Sequence, residues 1–180
     1  MCAHTTRYKR VEFSGFKKAK IFRQNHKGPG IARNYGVKKA RGKILVFVDA
    51  DMTFDKDYIK NLIKPILDGK VFGTIHRIEK VANKKNIWAM CWGGRQTLDK
   101  DGKGLIFRAI TKKAFLKYGP FNPKKGYADD QTLYENSGIK ATGADAICYH
   151  DNPDNLRATF KQARWIGTSW KKRYFCLIFH

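Results

Sequence analysis

Asp49 and Asp51 stand one residue apart, directly after the apolar run from Ile44 to Val48. Two carboxylates spaced by one small residue suit a hard divalent cation, which takes oxygen ligands and often bridges to substrate phosphates. A solvated Asp-rich turn after a strand is the alternative reading of the same nonapeptide. Downstream, a second acidic pair, Asp129 and Asp130, precedes a helical pattern that Gly138 ends, and His150 closes the apolar run from Ala144 to Tyr149.

The elements that must position these groups follow from the apolar periodicity. Five unbroken apolar residues fit a strand buried on both faces, as in a parallel sheet covered by helices. Ligands of open α/β sheets bind outside the carboxyl ends of the strands, where Asp49 and Asp51 fall. Upstream, Gly28-Pro29-Gly30 opens a helix with Pro in its first turn, Lys39 and Arg41 suit its C-terminus and Gly42 its stop. Lys20 to Arg23 reads as a short strand. Asp55 or Asp57 caps a second helix carrying Tyr58, Ile59, Leu62, Ile63, Ile66 and Leu67, which Pro65 should kink or restart. Val71 to Ile75 and Gly104 to Ile110 read as strands, Lys112 to Tyr118 as a short helix, and Gly119 to Pro123 as a loop. Residues 79–100 fit no single pattern. Asp129 to Ser137 reads as a helix. Asn155 to Lys172 reads as a basic amphipathic helix with Leu156, Phe160, Ala163, Ile166 and Trp170 at helical spacing.

The chain has 180 residues, 42% hydrophobic and 13% aromatic, enough for one domain with a sizeable core. Lys and Arg number 37 against 15 Asp and Glu, a net charge of +22 that favours an anionic partner. The cations are spread along the chain, which argues for a solvated surface more than for nucleic acid. Cys2, Cys91, Cys148 and Cys176 form no CxxC pair, so a zinc site or disulfide framework is not expected, and reduced cytosolic thiols are. No signal peptide and no bilayer-length apolar stretch is visible.

Taken in order, Gly-Pro-Gly-Ile-Ala-Arg33-Asn34, the strand ending Asp49-Ala-Asp51, the strand ending Arg108, Tyr-Gly-Pro-Phe-Asn122, Gly-Tyr-Ala-Asp129-Asp130 and the strand ending Tyr-His150 closely resemble the family-two glycosyltransferases of the A-type fold. The resemblance runs from about Asn25 to about Trp165. It implies an α/β fold with a mostly parallel open sheet flanked by helices, incomplete at the N-terminus. It implies that Asp51, with His150, ligands Mg²⁺ or Mn²⁺ on the donor diphosphate, and that Asp49, Arg33, Asn34 and Asp129 flank the donor. Asp130 resembles the general base of inverting members, with Asp129 standing where Glu is commoner. A neighbouring carboxylate raises the pKa of such a base, whereas a helix N-terminus lowers it. Gln162-Ala-Arg164-Trp165 is similar to the Gln-x-x-Arg-Trp motif of processive members but is one residue short, and puts Arg164 and Trp165 on the acceptor side.

Each residue has a plainer alternative: Asp130 as a helix cap, His150 as a surface loop residue, Arg33 and Asn34 as an exposed helical face, Trp165 as packing. Trp88 and Trp92 read as core or acceptor-loop packing, and His4, His26, His76 and His180 show no partner pattern. Residues 1–24 lack the first strands of the family's nucleotide-binding sheet. The chain therefore reads as a fragment, with an unpatterned leader (1–24), a partial catalytic domain (25–154), and a basic helix with an apolar tail (155–180). Such a fragment is expected to be marginally stable and prone to aggregate. The implied activity is metal-dependent, inverting transfer of a sugar from a nucleotide-diphosphate-sugar donor to a hydroxyl of a glycan or lipid-linked acceptor. An anionic membrane surface is a further expected partner of the basic helix, at the cytoplasmic face of the cell membrane. A nucleic-acid-binding module and an inactive transferase remnant are the competing readings; the acidic pairs oppose the first.

Overall fold

The computed structural model of the chain describes residues 19–25, 27–94 and 96–174, and side-chain environments as far as Gly167. The expectations for residues 1–18, His26, Trp170 and the apolar tail lie outside these described residues.

Strands β1 (Ile44–Val46), β2 (Met52–Phe54), β3 (Gly73–Val81), β4 (Lys103–Gly104), β5 (Ala109–Thr111) and β6 (Ala141–His150) form one sheet in the order β1-β5-β3-β6-β2, with β4 also beside β6. β2 pairs with the end of β6 (Met52 opposite His150), and β4 with its start (Gly104 opposite Ala141). The α/β class and the open, helix-flanked sheet are those expected. The strand directions are not: β3 and β6 run parallel, while the pairs β1–β5, β3–β5, β2–β6 and β4–β6 are antiparallel. An apolar run reports burial of both faces, not direction. Antiparallel β5 is as completely covered as any parallel strand, with Ala109 and Ile110 fully buried.

The first strand is also shorter than its apolar run. It leaves the sheet after Val46, although the Phe47 N–H still donates to the Arg108 carbonyl at 2.8 Å, and Val48 is 38% exposed. Release at this point frees the backbone to turn through Asp49–Asp51 before β2 begins. No strand forms at 20–23.

Helix α1 (Pro29–Lys39) carries Pro in its first turn and Lys39 in its last, as expected, but it ends at Lys39 and leaves Arg41 and Gly42 beyond its Ala40 cap. Helix α2 (Tyr58–Leu67) passes through Pro65. The helix ends two residues later, so only the bond to the Asn61 carbonyl is forgone. Neither expected aspartate caps it through its side chain: Asp57 sits at the cap without such a bond, and Asp55 accepts the Tyr149 hydroxyl at 2.9 Å. The unpatterned stretch contains α3 (Ile87–Trp92), capped by the Asn86 side chain, with Ile87, Trp88 and Met90 exposed. After α4 (Lys112–Tyr118), a 3-10 segment (Pro123–Gln131) bends at Gly126 (φ 61°) and leads into α5 (Thr132–Ser137). The acidic pair therefore lies before α5, not in it. Helix α6 (Leu156–Tyr174) is the expected basic helix. No helix among the described residues is long and apolar enough to cross a membrane.

Alternation along the strands splits the core between two sheet faces. Ile110 joins Leu45, Ile75, Phe107, Phe115, Phe121 and Leu133, under α1, α4 and α5. Its neighbour Ala109 joins Tyr58, Leu62, Ile66, Ala144, Ala146 and Cys148, under α2. Close packing explains Gly73: a Cβ there would stand 2.3 Å from the Phe107 ring.

Candidate active-site cavity

A cavity of about 680 Å³ opens where the Asp49–Asp51 turn, the start of α1, the 3-10 segment, the end of β6 and α6 meet. Its most ordered wall is a chain of alternating charges. Arg33, one turn into α1, donates from one guanidinium nitrogen to Asp129 Oδ1 (2.9 Å) and from the other to Asp49 Oδ1 (2.8 Å). Arg108, just before β5, donates to the second Asp49 oxygen at 2.7 Å. Asp129 also accepts the Gly30 N–H, and a Cβ on Gly30 would lie 2.6 Å from its carboxylate, so glycine lets helix and carboxylate approach.

Burial alone pushes the Asp49 carboxyl up, but the Arg108 and Arg33 guanidiniums and their hydrogen bonds outweigh it and hold the pKa well below the usual carboxylate range. For Asp129 burial wins over Arg33 and the pKa is raised. Asp130 lines the cavity with its pKa pushed up to about 6, chiefly by burial, with Asp129 and Asp49 adding to the rise and Arg33 and Arg108 opposing it. Desolvation, which is neither of the two influences expected for this residue, is thus the largest cause, and the neighbouring carboxylate adds to it.

Asp51 and His150 meet on the opposite side. The pairing of Met52 with His150 and the bond from Asp151 N–H to the Asp51 carbonyl (2.8 Å) bring His150 Nε2 within 3.5 Å of Asp51 Oδ2. Asp51 is well exposed, whereas His150 is buried. Two buried side-chain atoms among the described residues have no hydrogen-bond partner, His150 Nδ1 and Arg108 Nε, and both residues line this cavity.

Of the remaining expected residues, Trp165 lines the cavity and packs edge-on against Tyr127 at 5.1 Å. Arg164 does not; it is exposed on α6, and its neighbours Lys161 and Gln162 face the cavity instead. Asn34 is also away from the cavity wall. Its side chain makes two bonds with the Phe121 backbone (2.8 and 2.9 Å) and clamps α1 to the loop after α4.

The sequence reading passed over three residues of this site. Arg108 was visible only as the end of a strand. His76 and Glu79 lie three apart on β3, a spacing that regular alternation sends to opposite faces. A register shift between His76 and Ile78 brings them together, Nε2 to Oε2 at 3.2 Å. A bulge of this kind leaves no mark in the residue pattern.

The architecture is that of the A-type glycosyltransferases. The crystal structure of S. aureus TarS superposes with a TM-score of 0.53 at 19% identity, over 82% of this chain and 28% of that one. The chain belongs to glycosyl transferase family 2, whose description matches residues 6–122. That stretch includes Arg33, Asn34, Asp49, Asp51 and Arg108 and stops before Asp129, Asp130 and His150. It starts within residues 1–24, the segment read as a leader. Over 48 residues the chain is 44% identical to an uncharacterized glycosyltransferase of Rickettsia conorii and 42% to one of Rickettsia felis. Each match takes in 27% of this chain and 8% of the relative.

Proposed function

We propose that the chain carries the catalytic portion (residues 25–154) of a transferase that moves a sugar from a nucleotide-diphosphate-sugar donor to a hydroxyl acceptor with inversion. The observation that carries this reading is the convergence of Asp49, Asp51, Asp130 and His150 on one cavity in a family 2 chain.

The residues present fit a divalent cation, Mg²⁺ or Mn²⁺. Asp51 offers an accessible carboxylate oxygen, and His150 presents Nε2 3.5 Å from it, so the two donor atoms lie together at the cavity. Asp51 and His150 would hold the ion, which when bound offsets the charge that develops on the leaving diphosphate. The other donor-side residue is Asp49, held ionised and oriented by Arg33 and Arg108. Asp130 takes the acceptor hydroxyl proton as that oxygen bonds to the anomeric carbon and the bond to the diphosphate breaks. Its raised pKa keeps it basic enough for that transfer while leaving it ionised at neutral pH.

Residues 155–180 form the acceptor-side and membrane-proximal part of this reading. Trp165 reaches the cavity from α6, while Leu156 and Phe160 are 50% and 67% exposed beside exposed Arg157, Lys161 and Arg164. That combination supports docking at an anionic membrane surface, at the cytoplasmic face, with a glycan or lipid-linked acceptor. Flotation with anionic vesicles tests it: equal recovery with and without anionic lipid would refute it.

Calorimetric titration of UDP and GDP, with and without Mn²⁺, tests the donor site. Metal-dependent binding by the wild-type chain, lost in Asp51→Ala, is expected. Metal-independent binding, or binding unchanged in the variant, would overturn the assignment of Asp51.

A further inference from the structure

We propose that His76, Glu79 and Cys148 form a second metal site, for a borderline divalent transition ion of the Zn²⁺ type, beneath the floor of the cavity and separate from Asp51 and His150. Among the described residues these three are the group whose imidazole, carboxylate and thiol ligand atoms all lie within 4.8 Å of one another. The grouping is set by backbone. The register shift in β3 turns His76 and Glu79 to one face, and the parallel pairing of β3 with β6 places Glu79 opposite Cys148. His76 and Cys148 are fully buried, and the Glu79 side chain is 5% exposed.

The donor set selects the ion. A thiolate and an imidazole suit Zn²⁺ or Co²⁺ and are poor ligands for Mg²⁺, which wants oxygen in octahedral geometry. Tetrahedral coordination with bonds of about 2.0–2.3 Å spaces ligand atoms roughly 3.5 Å apart. The His76–Glu79 separation of 3.2 Å is already near that value, and the Cys148 sulfur lies no farther than 4.8 Å from either ligand atom. The second His76 nitrogen meets the Tyr58 hydroxyl at 3.1 Å. A hydroxyl can donate or accept, so the Tyr58 oxygen can accept a hydrogen bond from Nδ1–H when Nε2 binds an ion, the outer contact that orients most ligating histidines. An ion of charge two also offsets the Cys148 thiolate, whose proton is released on binding. Three protein ligands leave one position, on the side where His76 and Glu79 border the cavity, for water.

The test uses the full chain with Cys2, Cys91 and Cys176 changed to Ser, so that Cys148 is its one thiol. Chelator-treated protein is titrated with Co²⁺ alone. The proposal expects one thiolate-bound ion per chain, counted by the saturation of a thiolate-to-cobalt charge-transfer band in the near ultraviolet, whatever further Co²⁺ binds at Asp51 and His150. Zn²⁺ should abolish the band and excess Mg²⁺ should leave it. The band should disappear in Cys148→Ala, persist in Asp51→Ala, and require about tenfold more Co²⁺ in Tyr58→Phe. Absence of the band in a chain shown folded by circular dichroism would overturn the site. So would loss of the band in Asp51→Ala, which would assign the ion to the donor side. If Cys148→Ala fails to fold, the Tyr58→Phe and Asp51→Ala comparisons still decide, and an unchanged Co²⁺ requirement in Tyr58→Phe counts against the proposal.

Discussion

The two sides of the cavity are built on opposite plans. On the α1–β5 side, Arg33, Asp49, Arg108 and Asp129 are joined by short ion pairs and are largely shielded from water. On the β2–β6 side, Asp51 and His150 meet loosely at 3.5 Å, and the carboxylate faces solvent. The difference separates two tasks that sequence motifs merge. Asp49 and Asp51 read as a matched pair, yet one is committed to holding arginines and the other keeps its oxygens available. Asp130 lies between the two plans, buried enough to raise its pKa but open to the cavity.

The largest expected effect tests that intermediate position. Asp130→Asn should lower sugar transfer by about 10²–10⁴-fold while leaving nucleotide binding within about twofold. Wild-type turnover should rise through pH of about 6 and then level off. Loss of binding together with turnover would make Asp130 part of the rigid wall.

Next comes stability. Arg108→Ala leaves Asp49 with Arg33 alone, beside a buried gap, and should cost about 3 kcal/mol in urea unfolding, the low end for a broken buried pair because Arg33 remains and Asp49 is partly exposed. Asp51→Ala should change stability by less than about 0.5 kcal/mol. Equal costs for the two would erase the contrast between the sides.

The pH dependence of stability should show the same contrast with opposite signs. Asp130 has a raised pKa in the folded chain, so its contribution is fully present below about pH 4 and lost as pH rises through about 6. Asp130→Asn should therefore be more stable than wild type by about 3 kcal/mol at pH 8 and equal to it near pH 4, in thermal unfolding. The depressed pKa of Asp49 works the other way: its contribution is present above the unfolded value and fades only in strong acid.

The smallest effect concerns the clamp behind the wall. Asn34→Ala removes two bonds to Phe121 and should cost about 1–2 kcal/mol while sparing nucleotide affinity, measured by unfolding and titration on the same samples.

Much of this was legible in the residues because it depends on local pattern. The Gly-Pro-Gly opening of α1, the apolar faces of α2 and α6, and the carboxylates at a strand end each carry their own signal. What escaped depends on relations between distant segments. Strand direction escaped because β5 enters between β1 and β3 from far downstream and is buried however it runs. Asp129 and Asp130 looked like a helix start because neither the bend at Gly126 nor the bond from the Asn122 N–H to the Thr132 hydroxyl, ten positions apart, shows in the apolar pattern. The His76–Glu79 pair was hidden by a bulge, and the roles of Asn34 and Arg164 turned on which way a helix was rotated.

Strand β6 carries a consequence for how the protein is made. It pairs with β3 along nearly its whole length, receives both β2 and β4, and supplies His150, yet among the described strands it leaves the ribosome after all the others. Until residues 141–150 emerge, β3 presents an unpaired edge, and the turn bearing Asp51 has no partner strand. The Arg33–Asp129 contact, 96 positions apart, is delayed as well. Both sides of the cavity therefore assemble late and together, and a nascent chain halted before β6 displays a bare template for pairing with its neighbours.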